Sequence, residues 1–200
     1  MSYSYIISQA ISIDLSLANL LYAVRDPVLV KVFLGLTLLG KWQIALAIML
    51  AAAAFFWIWQ KKNYIIPIFI SVGGSFFTGF FGKIIWQRPR PLAVAVYVEH
   101  SWSFPSGHAI LAVSLYGFLI YFFWKNFKKR INKIAALFFG LLIILTIGFS
   151  RLYLGVHYLS DVLACYLVGI FLLVISIVVV NKKSMPVSTP EIIVKKEEIL

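Results

Sequence analysis

Acidic side chains are scarce in this sequence: seven Asp and Glu stand against eighteen Lys and Arg in 200 residues. Three of the seven fall in the carboxy-terminal tail, which leaves Asp14, Asp26, Glu99 and Asp161. A divalent-cation centre built on a carboxylate cluster has too few ligands here, so no metal and no other cofactor is expected. Charge of any sign is thin, at 12% of residues, where soluble domains carry about a quarter. Cysteine is nearly absent. Cys165 cannot close an internal disulfide, and within its apolar run it reads as a small core residue. The stretch from Met1 to Ile13 has neither a basic n-region nor a small-residue cleavage site, so no cleavable signal peptide is expected.

Apolar residues are abundant instead, at 62% with a mean hydropathy of +0.95. That is more apolar surface than the interior of a soluble fold of this length can hide. Five segments approach the roughly 20 residues that cross a hydrocarbon core of about 30 Å. They are 42–59, 64–86, 105–124, 134–149 and 158–180, several of them ending in Trp or Tyr as interfacial aromatic belts do. Residues 1–41 are mixed. Asp14, Arg25, Asp26 and Lys31 interrupt the apolar positions and Pro27 breaks them, which predicts amphipathic helices lying at the membrane interface. The competing reading joins residues 28–40 to the first span as one tilted helix. The expected fold class is all-α, a polytopic transmembrane helix bundle. It forms one membrane-embedded domain over residues 1–183, followed by a solvated, disordered tail over 184–200.

Eleven of the eighteen Lys and Arg fall in the turn at 61–62, the loop at 125–133 and the tail from 182 onward. Alternation of five spans puts these regions on one side, which the positive-inside bias makes cytoplasmic. The net charge of +11 then needs no nucleic-acid partner. Lys83, Arg88, Arg90 and Arg151 fall at the outer ends of spans, against that bias, and an anionic ligand accounts for cations there.

Three stretches share that outer face: Lys83 through Pro91, Pro105-Ser106-Gly107-His108, and Ser150-Arg151 through His157 to Asp161. Their residue types suit phosphoryl transfer. Its transition state spreads negative charge over three oxygens, which Lys83, Arg90 and Arg151 can cage. Ser106 and Gly107 open an apolar helix, where free backbone N–H groups favour an anion and glycine allows close approach. His157 and Asp161 are four apart, hence on one face if helical. A carboxylate so placed holds one ring nitrogen as N–H and leaves the other to attack phosphorus. His108 is then the general acid and base.

The pattern K-x6-R-P, P-S-G-H, S-R-x5-H-x3-D resembles the three-part signature of the type 2 phosphatidic acid phosphatase (PAP2) superfamily. It matches at Lys83, Arg90, Pro91, Pro105, Ser106, Gly107, His108, Ser150, Arg151, His157 and Asp161. The resemblance implies a haloperoxidase-like core and metal-independent hydrolysis of a lipid phosphate through a phosphohistidine, with those roles. The short five-span form resembles the bacterial undecaprenyl pyrophosphate phosphatases of the bacitracin-resistance type, which often carry Asp at the position of Gly107. Undecaprenyl pyrophosphate at the outer leaflet is accordingly ranked first, with phosphatidylglycerophosphate and phosphatidate as alternatives. A lipid phosphotransferase using the same cage and a non-catalytic phospholipid-binding membrane protein are the rival functions. Partners implied are the lipid substrate and the bilayer. Outside the signature, Glu99 reads as a solvated loop charge and Arg88 as a snorkelling side chain, with assistance to phosphate as its alternative role. Gly73, Gly74 and Gly79 read first as close helix packing, with a contribution to a lipid groove as the second reading.

Overall fold

The chain breaks at Pro27, where the sequence predicts. In the computed structural model, which describes residues 3–184, helix α1 (Tyr3–Ala23) ends before it and α2 (Pro27–Leu36) begins on it. Of the expected tail, all but Ser184 lies outside the described residues. Asp26 caps α2, its Oδ1 accepting from the N–H groups of Val28 at 2.7 Å and Leu29 at 3.0 Å. Proline at the first helical position costs no hydrogen bond. A 3-10 turn (Thr37–Gly40) and an extended Lys41 then lead into α3 (Trp42–Ile58). The two segments meet at 48°, so residues 28–40 do not run straight into the first span. Helix α3 has 17 residues. At 1.5 Å per residue it is about 26 Å long and by itself just short of the hydrocarbon core.

Four stretches are long and apolar enough to cross on their own: Lys62–Trp86, Gly107–Asn126, Arg130–Tyr153 and Leu159–Lys182. The bent pair of α2 and α3 passes the same test of length and hydropathy when the two are taken together. The helices behind these stretches are α4 (Ile65–Trp86), α5 (Gly107–Leu111), α6 (Gly117–Asn126), α7 (Arg130–Tyr153) and α8 (Leu159–Ser184). A π turn, Ala112–Tyr116, joins α5 and α6 into one rod. The chain is a polytopic transmembrane helix bundle, without strands among the described residues.

The α5–α6 rod is the axis of the bundle. Buried residues make up 56% of its apolar window, against 22–33% in the other spans. Ile110, Ala112, Leu115 and Phe118 are fully buried along it, and α4, α7 and α8 pack around it. With lipid outside as apolar as the core, close approach and hydrogen bonds hold such helices together. Gly117 faces Leu173 of α8, and Gly169 of α8 faces Val113 and the carbonyl of Ile110. Hydroxyl groups add the polar ties. Ser75 Oγ lies 2.6 Å from Ser114 Oγ, Ser71 donates to Ser114 O at 3.1 Å, and Ser71 Oγ lies 3.1 Å from Ser176 Oγ. These four serines are buried and join α4, the π turn and α8.

The glycines at these crossings differ in tolerance. A Cβ at Gly169 would lie 2.7 Å from Val113 Cβ and 2.9 Å from Ile110 O, whereas one at Gly73 meets nothing within 4 Å. Thermal unfolding in detergent should find Gly169→Ala destabilised by about 1–3 kcal/mol. Gly73→Ala should be neutral or stabilised, since alanine favours a helix by about 1 kcal/mol. Equal behaviour of the two variants would contradict the packing described.

Candidate active site

Helix α4 stops where Gln87 turns left-handed, at φ 43°, ahead of Pro89 and Pro91. The stop delivers Arg88 and Arg90 into the connection that runs to Ser106. At the same end of the bundle α7 ends at Tyr153, and Gly155 reverses the chain at φ +68°. A Cβ on Gly155 would overlap the Val94 carbonyl oxygen. Only glycine lets this turn pack on the 92–96 segment, where the Val96 N–H donates to Leu154 O at 2.9 Å. The pairing of these two turns brings the signature residues together.

His157 lies in the second turn and is 3% exposed. Its Nε2 is 3.2 Å from Arg90 Nη1. Its Nδ1 is 3.4 Å from Ser103 Oγ and 3.7 Å from Asp161 Oδ2, the latter an ion-pair rather than a hydrogen-bond distance. The Ser103 hydroxyl donates to Asp161 Oδ2 at 2.5 Å, and the same oxygen accepts the Tyr158 N–H at 3.1 Å. The expectation of a shared helical face is corrected here. His157 precedes α8 and Asp161 occupies its first turn, so the carboxylate reaches back over the helix N-terminus, as in half of a capping box. Ser103 sits between them. With a donor at Nε2 and acceptors at Nδ1, these partners assign the proton to Nδ1 and the lone pair to Nε2. Burial, then the charges of Arg151 and Arg90, push the His157 imidazole down to about 4, with Asp161 opposing. At pH 7 it is neutral.

Arg90 and Arg151 converge on Glu99. Arg90 Nη2 lies 2.5 Å from Glu99 Oε2 and Arg151 Nη2 lies 2.6 Å from Glu99 Oε1. Burial by itself would raise the Glu99 carboxyl; Arg151 and Arg90 outweigh it and hold the group at about 2. Glu99 is therefore not the solvated loop charge expected. Arg151, 1% exposed, also donates to Thr37 Oγ1 at 3.0 Å and Tyr97 OH at 2.8 Å. Lys83 donates to Ser101 Oγ and Trp102 O, both at 2.8 Å.

His108 stands in the first turn of α5, with its ring close to Gly40 and within electrostatic range of Arg151, Glu99 and His157. Its Nε2, Ser106 Oγ and Arg151 Nε are buried without a hydrogen-bond partner among the described residues. Such groups cost about 1–3 kcal/mol each when left unsatisfied, and all three belong to signature residues. One part of the anion-site expectation fails: the Ser106 N–H is taken by Cys165 Sγ at 3.0 Å. The cysteine is an acceptor as well as a core residue. Gly107 has nothing within 4 Å of a Cβ, so the space beside it is open.

Two further residues escape the sequence reading. Arg88 does not snorkel; its Nη1 lies 2.5 Å from Asp161 Oδ1 and its Nη2 lies 2.7 Å from Asp14 Oδ2. Asp14 of α1, 3% exposed, also accepts from the Ser160 N–H at 2.9 Å. The amino-terminal helix is thus clipped to the site through a buried carboxylate. An acid inside an apolar helix is expensive unless partnered, and that was the available signal.

The model of the PAP2 superfamily matches residues 63–185. The chain belongs to the PAP2 superfamily. PAP2 membership agrees with the geometry, since Lys83, Arg90, Ser106, Gly107, His108, Arg151, His157 and Asp161 all lie at one end of the bundle. Among curated proteins it is similar to phosphatidylglycerophosphatase B of Bacillus subtilis (strain 168), 31% identical over 168 residues and 80% of each chain. Among solved structures it is similar to a transmembrane PAP2-type phosphatidylglycerolphosphate phosphatase from Bacillus subtilis. That match has a TM-score of 0.79 and 25% identity, and covers 92% of this chain and 96% of the other. LpxE of Aquifex aeolicus matches with a TM-score of 0.61 and 26% identity, over 82% of this chain and 94% of the other. The protein is an integral-membrane lipid phosphatase of the PAP2 type.

The environment of His157 generates a pH test. An imidazole held at about 4 stays neutral as pH falls from 7 to 5, whereas an ordinary one, near 6.5, would be almost fully protonated by pH 5. The unfolded chain takes up this proton first, so the contribution of His157 to stability is complete above about 6.5 and is lost as pH falls toward 4. Nitrogen-15 NMR of labelled histidine should show a ring that does not titrate between pH 7 and 5, assigned to His157 by the loss of its signals in His157→Gln. Titration of that ring near 6.5 would contradict the burial described.

Proposed function

We propose that the protein hydrolyses a lipid phosphomonoester through a phosphohistidine on His157, with phosphatidylglycerophosphate as the preferred substrate. The observation that carries the chemistry is the two-sided environment of His157. Its Nε2 meets Arg90 at 3.2 Å while Nδ1 meets Ser103 and Asp161. Nε2 attacks phosphorus as the bond to the lipid oxygen breaks, and His108 gives that oxygen a proton. Water then attacks the phosphohistidine, passing a proton to His108, and inorganic phosphate leaves. Asp161 and Ser103 steady the imidazole. Lys83, Arg90 and Arg151 stabilise charge on the phosphoryl oxygens, with Ser106 and Gly107 at the mouth of α5 completing the anion site.

The substrate ranking drawn from chain length gives way. The curated relative named phosphatidylglycerophosphatase B supports phosphatidylglycerophosphate ahead of undecaprenyl pyrophosphate and phosphatidate. A lipid chain has room. A cavity of about 230 Å³ reaches from Lys83, Gly107 and His108 to Trp42, Phe76 and Phe80, all three half-exposed. A second, of about 260 Å³, continues from the shared Trp42, Phe76 and Leu111 to Met49 and Phe69. Gly73 and Gly79 line these cavities, whereas Gly74 packs on Leu172, so only one of the three glycines is there purely for packing. The basic loops at the opposite end of the bundle support an orientation with the site facing outward and the tail cytoplasmic.

Purified protein in detergent with EDTA should release phosphate from phosphatidylglycerophosphate at a higher kcat/KM than from undecaprenyl pyrophosphate or phosphatidate. The reverse order would restore the ranking by chain length. His157→Ala should lose at least about 1,000-fold in kcat while remaining folded; wild-type turnover by that variant would sink the mechanism. Ser103→Ala should lower kcat by about 10–100-fold with KM nearly unchanged, as loss of a supporting hydrogen bond to a working histidine does. An effect confined to KM would remove Ser103 from this role.

A further inference from the structure

Glu99 has no part in the chemistry proposed, yet its carboxylate takes the best donors in the site. It bridges Arg90 Nη2 at 2.5 Å and Arg151 Nη2 at 2.6 Å. Its neighbours take further donors of the cage. Lys83 Nζ donates to Ser101 Oγ and Trp102 O, Arg90 Nε donates to Ser101 O at 2.6 Å, and Arg151 Nη1 donates to Tyr97 OH. All three cations of the cage therefore hold the 97–102 segment. A phosphate group requires the same guanidinium forks, and a carboxylate of like charge in the same place repels it.

The surroundings give this competition a direction. The apolar groove approaches the cage past Lys83, Gly107 and His108, and no residue of the 97–102 segment lines it. A separate cavity of about 290 Å³ is lined by Glu99 itself with Arg90, His100 and Trp102. The Glu99 side chain, 26% exposed, thus borders that cavity and not the groove.

We propose that Glu99 is an internal competitor for phosphate on Arg90 and Arg151. Its carboxylate leaves the two guanidinium groups when a phosphate group arrives along the groove. It returns after hydrolysis and displaces inorganic phosphate toward the cavity at Trp102. The exchange makes and breaks ion pairs only, with no covalent change. Glu99 thereby sets the affinity of the site for phosphate and keeps it low enough for the product to leave. The inference rests on the phosphatase reading of the cage.

Binding of inorganic phosphate to the full chain in detergent tests it without needing turnover. Isothermal titration should find phosphate bound at least about 10-fold more tightly by Glu99→Gln than by wild type, the direction opposite to simple damage. Glu99→Asp, which keeps the charge, should stay near wild type. Where Glu99→Gln is less stable, added phosphate should raise its Tm by more than it raises that of wild type. In turnover assays inorganic phosphate should inhibit Glu99→Gln more strongly. Equal or weaker phosphate binding by Glu99→Gln overturns the inference and leaves the phosphatase reading intact. Binding by neither protein overturns both.

Discussion

Two guanidinium groups buried at one end of a membrane bundle are the constraint around which the rest is arranged. Arg151 is 1% exposed and Arg90 is 8% exposed. A charge in such a setting persists only if it is paired and hydrogen-bonded. Every element near them answers that demand. The connection from α4 to α5 contributes Glu99 and Tyr97, the 3-10 turn after α2 contributes Thr37, and the turn after α7 contributes the Val156 carbonyl to Arg90. Removing one partner of a buried pair costs about 3–5 kcal/mol. The irregular segments at this end are held in place by that penalty as much as by their own contacts.

The bundle was legible in the sequence because hydrophobic runs of fixed length have few alternatives in lipid. The break at Pro27 and the stop after Trp86 follow from proline chemistry that any chain must obey. The signature residues were legible for a different reason: cations and histidines at the ends of apolar spans have no packing role to hide behind. The misses also share a cause. Ser103, Asp14 and Arg88 are separated from their partners by dozens of residues, as Glu99 is from Arg151, and pairing over that distance has no periodicity to betray it. Glu99 in a polar connection looks like any other loop acid. His157 and Asp161 showed the right separation for the wrong reason, since the approach comes from a carboxylate folding back over a helix start.

Asp14 changes the standing of the amino-terminal helix. An amphipathic helix resting on a membrane interface has no fixed register against the protein. Here Asp14 holds Arg88, which also reaches Asp161, and Ser160 beside it. Arg88 in addition stacks its guanidinium over the Tyr158 ring at 4.4 Å. The carboxylate beside His157 is therefore braced from α1 as well as from α8, by charges that the bilayer cannot screen.

The groove between α3 and α4 opens through Trp42, Phe76 and Phe80, residues on the apolar exterior of the bundle. A molecule using it never has to leave the plane of the membrane. The quantity such a site senses is then the mole fraction of substrate among its lipid neighbours, not a concentration in bulk water. Doubling the volume of buffer leaves its saturation unchanged, whereas doubling the inert lipid or detergent around it halves the substrate density it sees.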